Sequence, residues 1–241
     1  RSMNILITGH SQGLGRALTM HYLRKGHPVT GLSRNPIDED RPQTTLKQII
    51  SDLANLPALP ETLEKNIGNE DFYELVFLNA GQLGNIKRMS ELELPEIRSL
   101  LDLNVWANKI ILDWLISREV PPKKIIVISS GASIKGNLGW GGYALSKATL
   151  NMLVQLYAQE MPQTHILALS PGLVRTQMQA QLQKFSKEQF PSLKRFQQSW
   201  ENKTTPLPET VAEQIAKIVS FSSDYESGSF IDLREIESIE I

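Results

Sequence analysis

Apolar residues in this chain form short unbroken runs that alternate with longer stretches of helical periodicity. Runs at 3–8, 28–33, 73–78, 124–128 and 165–170 have the length and β-branched content of strands buried on both faces. Shorter runs at 49–53 and 229–233 read the same way. Between them, apolar spacings of three and four predict helices at 16–25, 61–67, 95–116, 143–161 and 208–220. Gly26 stops the first helix, and Pro121 and Pro122 separate the third from the strand that follows. This alternation predicts one α/β domain over 1–241, a doubly wound parallel sheet with helices on both faces. No repeat, linker or low-complexity tract divides it. Residues 177–203 stand apart: Gln-rich and helical in outline, with Phe185, Phe190, Phe196 and Trp200 as anchors. They read either as a lid-like substrate segment or as a plain pair of surface helices.

Composition narrows the function classes. The 241 residues include no cysteine, which excludes disulfides, thiolate nucleophiles and cysteine-ligated metals, and no metal site is expected. A formal net charge of −1 gives no field to recruit nucleic acid or an anionic membrane. The apolar runs are too short to span a bilayer. The first residues lack a basic-then-apolar leader pattern, Arg1 and Ser2 read as a cloning scar, and a cytoplasmic location is expected.

Candidate chemistry gathers where predicted strands end. The first runs into Gly9-His10-Ser11-Gln12-Gly13-Leu14-Gly15. A glycine-rich turn before a helix lets backbone N–H groups and the helix dipole meet a pyrophosphate, though a tight βα turn alone also calls for glycine. The second ends at Ser33 and Arg34, where an acid would bind the 2′-hydroxyl of NAD. Ser33 and Arg34 suit a 2′-phosphate instead, and Asp38, Glu39 and Asp40 come too late in the loop to be that acid. Asp52 either reaches an adenine or caps the next helix. The fourth strand enters Asn79-Ala80-Gly81, small enough to admit a flat group. Asn104 interrupts an apolar helix face, as a structural bridge or as part of a proton path. Ser129 and Ser130 close the 124–128 strand and point to opposite faces. Tyr143 and Lys147, four apart on a helix, share one face, and a nearby ammonium is expected to lower the phenol pKa. Solvated neighbours have the same spacing.

Taken in order, these residues resemble the short-chain dehydrogenase/reductase family over nearly the whole chain: Thr8-Gly9 with Gly13 and Gly15, Asn79-Ala80-Gly81, Asn104, Ser130, Tyr143, Lys147, Pro171-Gly172 and Thr176. The loop at 80–84 and the Ser33-Arg34 pair are similar to carbonyl reductases of the benzil reductase and sepiapterin reductase type. The resemblance implies a Rossmann-type fold and hydride transfer between a nicotinamide and a small carbonyl or alcohol substrate. It implies Tyr143 as proton donor, Lys147 beside it and on the cofactor ribose, Ser130 on the substrate oxygen, and Asn104 holding a water. It further implies cofactor contacts from Gly9, Ser11, Gln12, Gly13, Leu14, Gly15, Ser33, Arg34, Asp52, Leu53, Asn79, Ala80, Gly81, Tyr143, Lys147, Pro171, Gly172, Val174 and Thr176. NADP(H) is favoured over NAD(H), and a homodimer or homotetramer is expected. Two departures stand out: Leu78 replaces the commoner first asparagine, and Gln12 replaces a basic residue common in NADP users, which leaves the phosphate to Arg34. An NAD-dependent alcohol dehydrogenase and a non-catalytic dinucleotide sensor are the alternatives. The sensor has no need of Ser130, Tyr143 and Lys147 together.

Overall fold

The computed structural model describes residues 1–37 and 45–236. Its seven strands form one parallel sheet: β1 (Ile5–Thr8), β2 (Val29–Ser33), β3 (Leu46–Ile50), β4 (Leu75–Leu78), β5 (Lys124–Ile128), β6 (His165–Ser170) and β7 (Phe230–Asp232). The order is β3-β2-β1-β4-β5-β6-β7. The chain winds outward from β1 to β3 and then starts again at β4 on the other side of β1. That reversal opens a crevice beyond the carboxyl ends of β1 and β4, where open α/β sheets bind ligands.

The period-two geometry of the strands divides their side chains between two cores. Ile5, Ile7, Phe77 and Ile126 meet α1 (Gly13–Arg24) and α8 (Pro208–Ser220) on one face. Leu6, Val76, Leu78 and Val127 meet α2 (Leu59–Asn66), α4 (Ala107–Ile116) and α5 (Gly141–Glu160) on the other. Each fully buried Leu, Ile or Phe contributes about 1.5–3 kcal/mol of burial, so both faces are needed to hold the strand ends in place. Leu150, Val154 and Tyr157 of α5 belong to this second core. Three further α-helices are α3 (Leu94–Leu101), α6 (Gln177–Gln181) and α7 (Leu193–Glu201). No helix among the described residues is long and apolar enough to cross a membrane.

Three elements differ from the sequence reading. Helix α1 begins at Gly13 rather than Arg16, so Gly13 and Gly15 lie in its first turn. Strand β3 spans Leu46–Ile50 instead of 49–53. It is an edge strand with Ile49 as its one buried residue and polar Lys47 and Gln48 in its span, so its apolar run is broken. Asp52 lies beyond it, accepting from Ala54 N at 3.0 Å, and so caps a turn instead of α2, whose cap is Ala58. The long helix at 95–116 is interrupted by a π-helical segment, Asp102–Trp106, centred on Asn104. Asp38, Glu39 and Asp40 lie outside the described residues.

Candidate active site

The glycine-rich turn is held against the end of β4. Thr8 Oγ1 accepts from Asn79 N at 2.9 Å and Ala80 N at 3.1 Å, and Asn79 Nδ2 donates to the carbonyls of Thr8 and Gly9, each at 3.3 Å. Gly9 turns with φ +66°, a region that favours glycine. A methyl on Gly15 would overlap the Gly9 carbonyl oxygen and lie 2.5 Å from Asn79 Nδ2. A Cβ on Gly13 would sit 3.3 Å from Thr176 Cγ2, so the start of α1 lies close against the segment that follows β6. This is a cradle of backbone at a helix N-terminus, which fits a dinucleotide pyrophosphate. Gly15→Ala is expected to open it, destabilising the protein by about 1–3 kcal/mol and weakening dinucleotide binding about tenfold or more. Thermal unfolding and a fluorescence titration check this, and parental values in both would show that the turn tolerates the methyl.

A network at the end of β2 escaped the sequence reading. The buried His10 ring occupies space that Gly31 leaves open, since a methyl there would overlap it. His10 Nε2 lies 2.7 Å from Gln48 Oε1, which also accepts from Ile37 N at 2.8 Å. An acceptor shared in this way calls for the Nε2–H tautomer, leaving Nδ1 to face Ser33 Oγ at 3.1 Å. Burial pushes the imidazole below its usual pKa. Ser33 Oγ also lies 3.0 Å from Ser11 Oγ, tying the turn to the strand end beside exposed Arg34. The signal was a histidine inside a glycine turn with a glycine on the adjacent strand, and it becomes readable only once the strands are paired.

Asn104 is fully buried. Its Oδ1 accepts from Gln82 N at 2.9 Å, and its Nδ2 donates to Gln82 O at 2.9 Å and Ser146 Oγ at 3.0 Å. Its side chain is thus committed to the loop after β4 and to α5, and its carbonyl accepts from Asn108 Nδ2 at 2.9 Å. The π-helical turn presents that side chain to the loop, a frequent use of such turns. Gly81 leaves room for both Asn104 Oδ1 and Lys147 Nζ, at 3.2 and 3.5 Å from its ideal Cβ.

The end of β5 is pinned to α5. Ser129 Oγ donates to Asn151 Oδ1 at 2.6 Å, Asn151 Nδ2 donates to Ser133 Oγ at 2.7 Å, and Ser133 Oγ donates to Ser130 O at 2.6 Å. With Ser129 turned inward, Ser130 Oγ accepts from Ala132 N at 3.2 Å and shares a hydrogen bond with Tyr143. Lys147 Nζ donates to Ile128 O at 2.9 Å and lies 5.7 Å from the Tyr143 ring centroid. Ser130, Tyr143 and Lys147 therefore converge beside the crevice.

The expected lowering of the Tyr143 pKa is corrected. Burial pushes the hydroxyl above its usual value, and the Ser130 hydrogen bond offsets this only in part. Burial also pushes Lys147 down to about 8, because its charge is desolvated and its hydrogen bond goes to a neutral carbonyl, that of Ile128. Over Tyr143 stands a third apolar cluster. Leu182, Phe190 and Leu193 of 177–203 pack on Trp140, whose Nε1 donates to Ser192 Oγ at 2.8 Å. Trp140 lies 6.2 Å from the Tyr143 ring.

Comparison with known proteins agrees with this geometry. A family model described as short chain dehydrogenase matches residues 3–187. The chain is 31% identical over 243 residues to a benzil reductase ((S)-benzoin forming) of Bacillus subtilis (strain 168), covering 95% of this chain and 98% of that one. It is 29% identical over 197 residues to the sepiapterin reductase of Bos taurus, covering 79% and 69% respectively. Among solved structures, the KRED1-Pglu enzyme superposes with a TM-score of 0.81 at 23% identity, covering 95% of this chain and all of that one.

Proposed function

Because the chain belongs to the short-chain dehydrogenase/reductase family and is an oxidoreductase, we propose that it reduces a ketone, aldehyde or dicarbonyl to the alcohol with NADP(H), with Tyr143 as proton donor. The observation that carries this reading is the convergence of Ser130, Tyr143 and Lys147 next to the glycine cradle. A bound nicotinamide nucleotide supplies the hydride; the protein supplies position and a proton.

The phenol of Tyr143, kept protonated at neutral pH by burial, donates to the substrate oxygen as negative charge develops there. Ser130 orients that oxygen through its hydroxyl. The Lys147 ammonium, close to the Tyr143 ring, stabilises the phenolate left behind. Gly9, Gly13 and Gly15 with the start of α1 hold the pyrophosphate. Residues 177–203 shield the reacting centre, a role supported by their packing on Trp140. An apolar, aromatic wall of this kind favours an aromatic or aliphatic ketone over a sugar.

Arg34 and Ser33, with no acid at the end of β2, support the 2′-phosphate. Arg34→Ala is therefore expected to weaken NADPH about tenfold or more, as loss of a charge-assisted contact does, while NADH changes little. Parallel titrations with both nucleotides, followed by turnover of a dicarbonyl, test this. An unchanged NADPH-to-NADH ratio would leave Arg34 a loop arginine, and no turnover of any carbonyl would sink the reductase reading.

A further inference from the structure

We infer that Arg234 receives a second oxygen of the substrate, so that the site selects carbonyl compounds carrying another carbonyl on the adjacent carbon. The inference rests on the reductase reading above and names the residue that would read such a substrate.

Sheet register places Arg234 at the reacting end. Ile128 of β5 pairs with Leu169 of β6, and the next β6 residue, Ser170, pairs with Asp232 of β7. Ser130 stands two residues beyond Ile128, Gly172 two beyond Ser170, and Arg234 two beyond Asp232. All three leave the same edge of the sheet, β7 lying about 10 Å from β5. The arginine side chain crosses that gap. Its Cδ lies 3.1 Å from the ideal Cβ of Gly172, and its Nη2 lies 3.0 Å from that of Gly131, the residue after Ser130. Two glycines thus leave the space that this one side chain fills.

The guanidinium is fixed but not used up. Asp232, only 3% exposed, accepts from Arg234 N at 3.0 Å and Nε at 2.9 Å through Oδ1, and from Nη2 at 2.5 Å through Oδ2. A guanidinium has five N–H donors. Two are taken by this carboxylate, and the remaining three have no acceptor among the described residues. The side chain is 44% exposed, so its open edge is reachable. A guanidinium locked by a buried carboxylate is a preorganised donor. Charge decides what it takes. Asp232 and Glu235 act on Arg234, and Arg195 of α7 acts on Asp232, so positive and negative charges balance. The cluster therefore suits a neutral or singly charged acceptor oxygen better than a phosphate. A vicinal dicarbonyl offers one oxygen to Ser130 and Tyr143 and the other to Arg234.

The test compares two activated ketones with saturating NADPH: 1-phenyl-1,2-propanedione, which has the second oxygen, and 2,2,2-trifluoroacetophenone, which lacks it. Arg234→Leu should lower the diketone-to-trifluoroketone ratio of kcat/KM about tenfold or more, mostly through the diketone KM, with Arg234→Lys in between. If the leucine variant fails to fold because Asp232 is left unpaired, the double change Asp232→Asn with Arg234→Leu gives the same readout. Equal losses on both ketones, or none, would overturn the assignment and leave the reductase reading intact. So would a parent that reduces only the trifluoroketone. A parent that reduces neither would overturn the reductase reading, and this inference with it.

Discussion

Tyr143→Phe is expected to lower kcat for carbonyl reduction about 10³-fold, within the range that a positioned general acid contributes, while NADPH still binds. The phenylalanine keeps the ring in the cluster with Trp140, so packing is largely preserved and only the hydroxyl is lost. On the proposed reading the substrate oxygen then lacks its proton donor, and the hydrogen bond shared with Ser130 goes too. The pH dependence follows from the direction of the shift. Burial raises the Tyr143 pKa, so the donor form persists through neutrality, and reduction should fall only on the alkaline side. Alcohol oxidation needs the phenolate and should rise with pH over the same range. Steady-state rates in both directions, with a parallel NADPH titration, check this. A variant that turns over at the parental rate would remove Tyr143 from the chemistry.

What the sequence revealed depended on whether a feature is local. The βα alternation, the glycine turn and the strand-end motifs are each set within a few residues, so the parallel sheet and the places where strands end in glycine or serine could be read from spacing. β3 was misplaced because an edge strand needs only one buried face, and Gln48 looks like a loop residue until it is seen bonded to His10. The 95–116 helix was legible as an apolar face, but its π-helical turn follows from pairing between Asn104 and Gln82. The Tyr143 pKa was read with the wrong sign because a charge four residues away is visible in a sequence and desolvation is not. Arg234 carries no local signal at all. Its place beside Gly131 depends on the register of β5, β6 and β7.

Desolvation also predicts that Lys147 works against the fold it serves. The side chain is 4% exposed, its Nζ donates to the neutral Ile128 carbonyl, and no carboxylate contributes to its pKa of about 8. The unfolded chain holds the Lys147 proton up to its ordinary value of 10.5. Below about 8 both states are protonated and the penalty for burying the charge is fully present; between about 8 and 10.5 the unfolded state binds more protons, so stability rises with pH. At pH 7 that penalty is roughly 3 kcal/mol, against about 1–2 kcal/mol for the hydrogen bond to Ile128. Lys147→Met should therefore raise the melting temperature of the nucleotide-free protein by about 2–6 °C at pH 7, a gain that shrinks toward pH 10. The same change should lower kcat about 10²-fold: the ammonium lies 5.7 Å from the centre of the Tyr143 ring over which the phenolate charge spreads, and a charge at about 6 Å is worth about 3 kcal/mol at an effective dielectric of about 20. Melting curves at pH 7 and 9.5 with kcat at pH 7 decide the matter. A methionine variant that melts below the parent at neutral pH would show that the Ile128 hydrogen bond outweighs the buried charge. A variant that keeps parental turnover would show that the ammonium has no part in the reaction.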